Sequence, residues 1–125
     1  MNITRAFLVV GTIYLVLGIG LGMRMGASGD HSMMPVHAHI NLLGFVLMAV
    51  FGLIYKTFPA MTNGRLATVH FWLHLTGSAL LIVMLFLMFS GRIPEAAMVP
   101  AAPLAEGLVM LGVLTFAYNL WMNAR

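Results

Sequence analysis

The chain has 125 residues, of which 62% are hydrophobic and only 7% charged, with a mean hydropathy of +1.01; soluble domains carry about 25% charged residues, so there is too little polar surface here to cover a globule in water. The absence of cysteine excludes disulfides, thiolate metal sites and iron–sulfur clusters, and leaves His and Met as the soft or borderline metal ligands. The formal net charge of +3 comes from basic residues scattered over breaks and ends, which argues against a nucleic-acid partner and for a lipid bilayer.

A hydrocarbon core about 30 Å thick takes roughly 20 apolar residues per helical crossing, and four such stretches follow one another. The first helix is expected over about 5–23; no small-residue cleavage pattern precedes Arg24, so it reads as a retained helix. The break RMGASGDHSMM carries loop residues, and Pro35 suits the first turn of a second helix, because its missing N–H would be unpaired there anyway. That helix runs over about 35–56. TFPAMTNGR then makes a turn around Pro59 and Asn63-Gly64, a third helix covers about 66–90, and GRIPEAA makes the last turn. The fourth helix is expected over about 98–121, with Pro100 and Pro103 each able to occupy its first turn. The expectation is an all-α integral membrane protein, one four-helix domain over 1–125, whose chemistry sits between helices or in short loops.

Four crossings put both chain ends on one side. Arg5, Lys56, Arg65 and Arg125 fall there, against Arg24 and Arg92 on the other side, where Asp30 and Glu95 also lie. The positive-inside bias then makes the N and C termini cytoplasmic in a multi-pass protein of the inner (cytoplasmic) membrane, with the start of the second helix near the outer face. Gly18 and Gly22 give a small-xxx-small spacing that permits close helix approach in lipid.

Five histidines are the informative excess, because strongly polar groups at membrane depth are costly and face a cavity, cofactor or partner. His37 and His39, in PVHAHINLLGF, are separated by about 200° around a helix axis, so a regular helix cannot turn both to one metal. They can serve two sites, one on each side of the helix, and a haem iron held by one imidazole from each of two facing helices suits that arrangement. The bland alternative is a pair of interfacial histidines bonded to water or to a neighbouring helix. His70 and His74, in VHFWLHLTG, share one face at the i, i+4 spacing of metal ligands; the alternative there is an interhelical hydrogen bond. From the helical rise, His74 is expected some 10–15 Å below His39.

Twelve methionines raise copper as a second metal, with His31, Met33 and Met34 as a loop cluster, although mid-helix methionines such as Met48 and Met84 ordinarily fill gaps. Glu106 is the one acid that can lie inside the membrane, unless it sits in the first turn of the fourth helix, where a carboxylate favours the helix dipole. Arg24 and Arg92, at the outer level, have the forked geometry that binds carboxylates, hence haem propionates.

The run VHAHINLLGFVLMAVFGLIYKTFP resembles the tenth helix of subunit I of the haem–copper oxidases, C-type cytochrome oxidases and nitric oxide reductases above all. The next run, VHFWLHLTGSALLIVMLFLMFSG, resembles that subunit's eleventh helix, and together the two cover about half of the chain. The resemblance implies that His37 ligates a high-spin and His39 a low-spin haem; it assigns nothing to His70, His74 or Glu106. The family's subunit has twelve helices in three sets of four, and one set is present here. The copper ligands and the second low-spin ligand have no counterpart, which excludes an oxygen-reducing centre on one chain. A homotrimer would restore twelve helices around a threefold axis, with His39 of one subunit facing His37 of the next across haem b.

The functional expectation is therefore a membrane b-type cytochrome in electron transport, serving a respiratory redox partner or binding a gas such as NO or O2. Two other readings stand beside it: a non-catalytic accessory or assembly subunit of a respiratory membrane complex, and a copper-handling membrane protein.

Overall fold

A computed structural model describes residues 1–125. It is all-helical, and four helices are long and apolar enough to cross a membrane: α1 (Ile3–Ser28), α2 (Met34–Thr57), α3 (Leu66–Phe89) and α4 (Ala101–Asn123). At about 1.5 Å per residue, even the shortest reaches beyond a hydrocarbon core.

Local chemistry sets the ends of these helices. The Asn2 side chain accepts the Arg5 N–H at 2.9 Å and caps α1. At the other end Gly29, with φ of 71°, takes the left-handed cap and bonds Met25. That cap explains why α1 runs past the expected boundary at Met23: Gly26 is accommodated within the helix, and the left-handed residue comes only at Gly29. Pro35 lies in the first turn of α2. Residues Pro59–Thr62 form a 3₁₀ turn before α3, and Glu95–Met98 form another before α4. Because α4 begins at Ala101, Glu106 is its sixth residue and lies beyond the first turn.

The interior of α2 departs from a regular helix. Residues Ile40–Val46 are π-helical, and the Leu47 N–H bonds the carbonyls of Leu42 and Gly44 and not that of Leu43. The Leu43 carbonyl instead accepts from His74 Nε2 of α3 at 2.9 Å. A widened turn of this kind has an identifiable cause when another group captures a carbonyl of the helical ladder.

Packing is by hairpins. The closest pairings are α1 with α2 and α3 with α4, and α2 meets α3 to join them. At Gly77 an added Cβ would sit 2.9 Å from the Ala105 carbonyl oxygen of α4, so a hydrogen there is what permits the α3–α4 approach. The core is aromatic and thioether-rich: Phe7, Phe51, Tyr55 and Phe71 pack with Met48 and Met61. Buried Asn119 of α4 donates to the Met61 carbonyl at 2.9 Å, and a cleft separates Asn2 and Thr4 from Lys56 and Thr62. The N-terminus, the α2–α3 turn and the end of α4 thus gather at one end of the bundle, here the terminal end.

The outside suits lipid. Val16, Leu17, Leu53, Leu104, Leu114 and Trp121 are all more than half exposed, more apolar surface than a water-facing monomer carries. Outward-facing hydroxyls are satisfied within their own helices, as Thr12 bonds Leu8, Thr76 bonds Trp72 and Thr115 bonds Leu111. These are the features of a multi-pass membrane protein.

Candidate functional site

His37 and His39 occupy the start of α2, at the end of the bundle away from the termini, and face different neighbours. His37 Nδ1 lies 2.9 Å from the Gly18 carbonyl of α1. Gly22 makes room for the ring, since a Cβ there would come within 2.9 Å of His37 Cε1. The Asn41 amide donates to the His37 carbonyl at 2.8 Å and lies against the ring, 3.3 Å from Nδ1 and 3.4 Å from Nε2. His39 Nδ1 lies 2.7 Å from the Pro35 carbonyl one turn earlier. A carbonyl can only accept, so in both rings Nδ1 carries the proton and Nε2 holds the lone pair.

His39 lines a groove of about 390 Å³ with Leu43, Leu81, Glu106, Val109 and Met110. The groove is open at the surface, apolar on most of its walls, and contains one carboxyl. The sequence leaves Glu106 between two roles; the structure puts it on the wall of the same groove as His39. No periodicity in α4 alone carries that pairing, because it depends on how α4 registers against α2 and α3.

The two arginines lie at the same end of the bundle but do not line the groove within one chain. Arg24 borders a small cleft with Met25, Ser28, Asp30 and Met33, and the Arg92 guanidinium sits 5.6 Å from the centre of the Phe86 ring. Asp30 accepts the Ser32 N–H at 2.9 Å, and this backbone hydrogen bond holds its carboxyl below the ordinary carboxylate range. The loop cluster of His31, Met33 and Met34 is dispersed. His31 is exposed and bonds the Gly29 carbonyl, Met33 is buried, and Met34 points outward.

His70 and His74 lie within the first nine residues of α3, toward the terminal end, and are fully buried. Rings surround His70: Phe51 edge-on at 4.4 Å between centroids, Phe7 at 5.0 Å and Phe116 at 5.2 Å. Its Nδ1 meets the Tyr55 hydroxyl at 3.0 Å. His74 donates Nε2–H to Leu43, which makes its Nδ1 the lone-pair nitrogen. Its partner Leu43 lies four residues after His39, about 6 Å along α2. His70 Nε2 and His74 Nδ1 have no partner in the protein. Tyr55, fifteen residues from His70 across a turn, was not singled out from the sequence; an aromatic at the polar end of a helix is too common a signal.

No three His, Asp or Glu side chains converge on a point within the chain. Comparison with protein-family models, curated proteins and solved structures finds no match.

Proposed function

We propose that this chain is a membrane b-type haem protein that works in electron transfer or gas binding, with His37 and His39 as axial ligands at the contacts between copies. One observation carries the reading: each ring of the H-x-H pair has Nδ1 tied to a backbone carbonyl, leaving Nε2 as the basic nitrogen. That outer hydrogen bond fixes tautomer and ring orientation in metal-bound histidines generally, and raises ligand basicity.

The surroundings fit the group in part. Leu43, Leu81, Val109 and Met110 supply an apolar wall for one porphyrin face, open on the side where a second chain would complete it. Glu106 is the lining group that a porphyrin does not call for. His37, half-buried against α1, would ligate by exchanging its long contact to Asn41 for the iron. Arg24 and Arg92, exposed at the same end, would take the propionates. When bound, haem supplies a one-electron couple, or an open axial position for a diatomic gas. The chain's own residues orient the imidazoles through Pro35 and Gly18.

A homotrimer is the assembly that brings His39 of one subunit opposite His37 of the next, and its twelve helices agree with the likeness to haem–copper oxidase subunit I. The positive-inside bias supports cytoplasmic termini in the inner membrane, and an electron-transfer role would call for a respiratory donor or acceptor as redox partner. Single alanine variants test the ligands: haem is expected to be lost from H37A and from H39A, and full haem retained in both would contradict the assignment. Crosslinking in detergent tests the assembly, which a monomer or dimer would refute.

A further inference from the structure

The terminal end of the bundle carries charge that the haem reading does not use. Arg5 lies in the first turn of α1 and Lys56 in the last turn of α2, with Arg65 and Arg125 at the same end. None of the three acidic side chains is there to pair with them. Asp30 and Glu95 belong to the loops at the opposite end, and Glu106 is the sixth residue of α4, which starts from that end. Cations at a bilayer edge without carboxylate partners are free to hold an anionic lipid head group.

Two of the four cations share a groove. Arg5 and Lys56 line a cavity of about 660 Å³ along the α1–α2 hairpin, open at the surface. Leu8, on its wall, packs on α2 at Gly52, where an added Cβ would come 3.0 Å from the Leu8 side chain, so contact between the helices bounds the groove. Polar and apolar groups are sorted along it. Asn2, Thr4 and Arg5 lie at the rim with Lys56, and Leu8, Val9 and Ile13 continue inward, Ile13 about 12 Å from Arg5 by helical rise. Asn2 Oδ1 is spent on the Arg5 N–H, and the Thr12 hydroxyl on the Leu8 carbonyl. What remains at the rim is a set of donors, two of them cationic, and what remains below is hydrocarbon.

We propose that this groove binds an anionic phospholipid from the leaflet at the terminal end, its phosphate held by Arg5 and Lys56 and one acyl chain lying along Leu8, Val9 and Ile13. The guanidinium fork takes two phosphate oxygens, and the ammonium adds a point charge. Net charge selects the lipid class. A phosphodiester with no ammonium of its own offers its full charge to both cations, whereas a choline head brings a third cation into the site. Free phosphate would leave the apolar length of the groove unused. The groove lies at the opposite end of the bundle from His37 and His39, so lipid binding here stands apart from haem binding.

The test is a titration of the purified full chain in neutral detergent, read by native mass spectrometry, with phosphatidylglycerol, phosphatidylcholine and inorganic phosphate as probes. Phosphatidylglycerol is expected to add one lipid per chain, at least about tenfold tighter than phosphatidylcholine. The double variant Arg5→Gln/Lys56→Gln should weaken it about 30-fold, roughly fivefold per charge. Arg65→Gln/Arg125→Gln removes the same charge from the same end but not from the groove, and should stay within about threefold of the wild type. All four side chains are exposed, so these variants keep the fold. Equal binding of the two lipids overturns the site, as does displacement of phosphatidylglycerol by inorganic phosphate at equal concentration. Equal losses in the two double variants also overturn it, because they reduce the effect to the overall charge of that end.

Discussion

The two histidine pairs lie in the same bilayer span and are treated in opposite ways. At the start of α2, His37 and His39 are half-buried, and backbone carbonyls hold only their Nδ1 atoms. In α3, His70 and His74 are wholly buried, packed among rings, and bonded to a tyrosine and to a carbonyl of another helix. The first pair leaves Nε2 as its basic nitrogen; the second ties two hairpins together. A histidine in a membrane is therefore not one signal but two, and the partner of the remaining ring nitrogen separates them.

The largest test of this contrast removes His74. His74→Ala empties a packed position and strands the Leu43 carbonyl, and should cost about 3 kcal/mol in reversible unfolding from detergent. His74→Gln, which keeps a donor, should recover a good part of that loss. Tyr55→Phe comes next: it leaves His70 Nδ1 unpaired and should cost about 1–2 kcal/mol by the same measurement. His39→Ala should move stability by less than about 1 kcal/mol, because its one bond is to its own helix, while abolishing haem binding. Equal losses of stability from His39→Ala and His74→Ala would erase the distinction between the pairs.

The smallest effect concerns the loop between α1 and α2. Asp30 has a folded pKa below its unfolded one, through its bond to the Ser32 N–H. The order it adds is therefore present above the ordinary carboxylate range and lost as pH falls through the depressed value. Exchange protection of the Ser32 amide should fade on acidification only below that range, and should be absent in Asp30→Asn at every pH. A fade centred at the ordinary carboxylate value would remove the bond from the account.

Much of the fold is legible in the sequence, for a physical reason. Each crossing must be a long apolar run, and Gly29, Pro35, Pro59 and Pro94 punctuate the runs where backbone chemistry demands it. The separation of His37 from His39 follows likewise from helical geometry alone. What stays hidden depends on contacts between helices. The π-helical turn at Ile40–Val46 goes with the capture of a carbonyl by His74, thirty-one residues away. The neighbourhood of Glu106 with His39 depends on the register of α4, and the bond from Tyr14 to Ser78 spans sixty-four residues. Sequence spacing brought His70 and His74 to one face, but it could not say that each would spend one nitrogen on a partner and leave the other free.

The central claim, that the H-x-H pair of α2 ligates haem, is tested most directly by a reduced-minus-oxidised optical spectrum of the detergent-purified chain from haem-replete cells, with a pyridine haemochrome assay. The account predicts sharp b-type bands and stoichiometric haem. A preparation that folds and carries no haem would contradict it, and would leave an accessory membrane subunit as the better description.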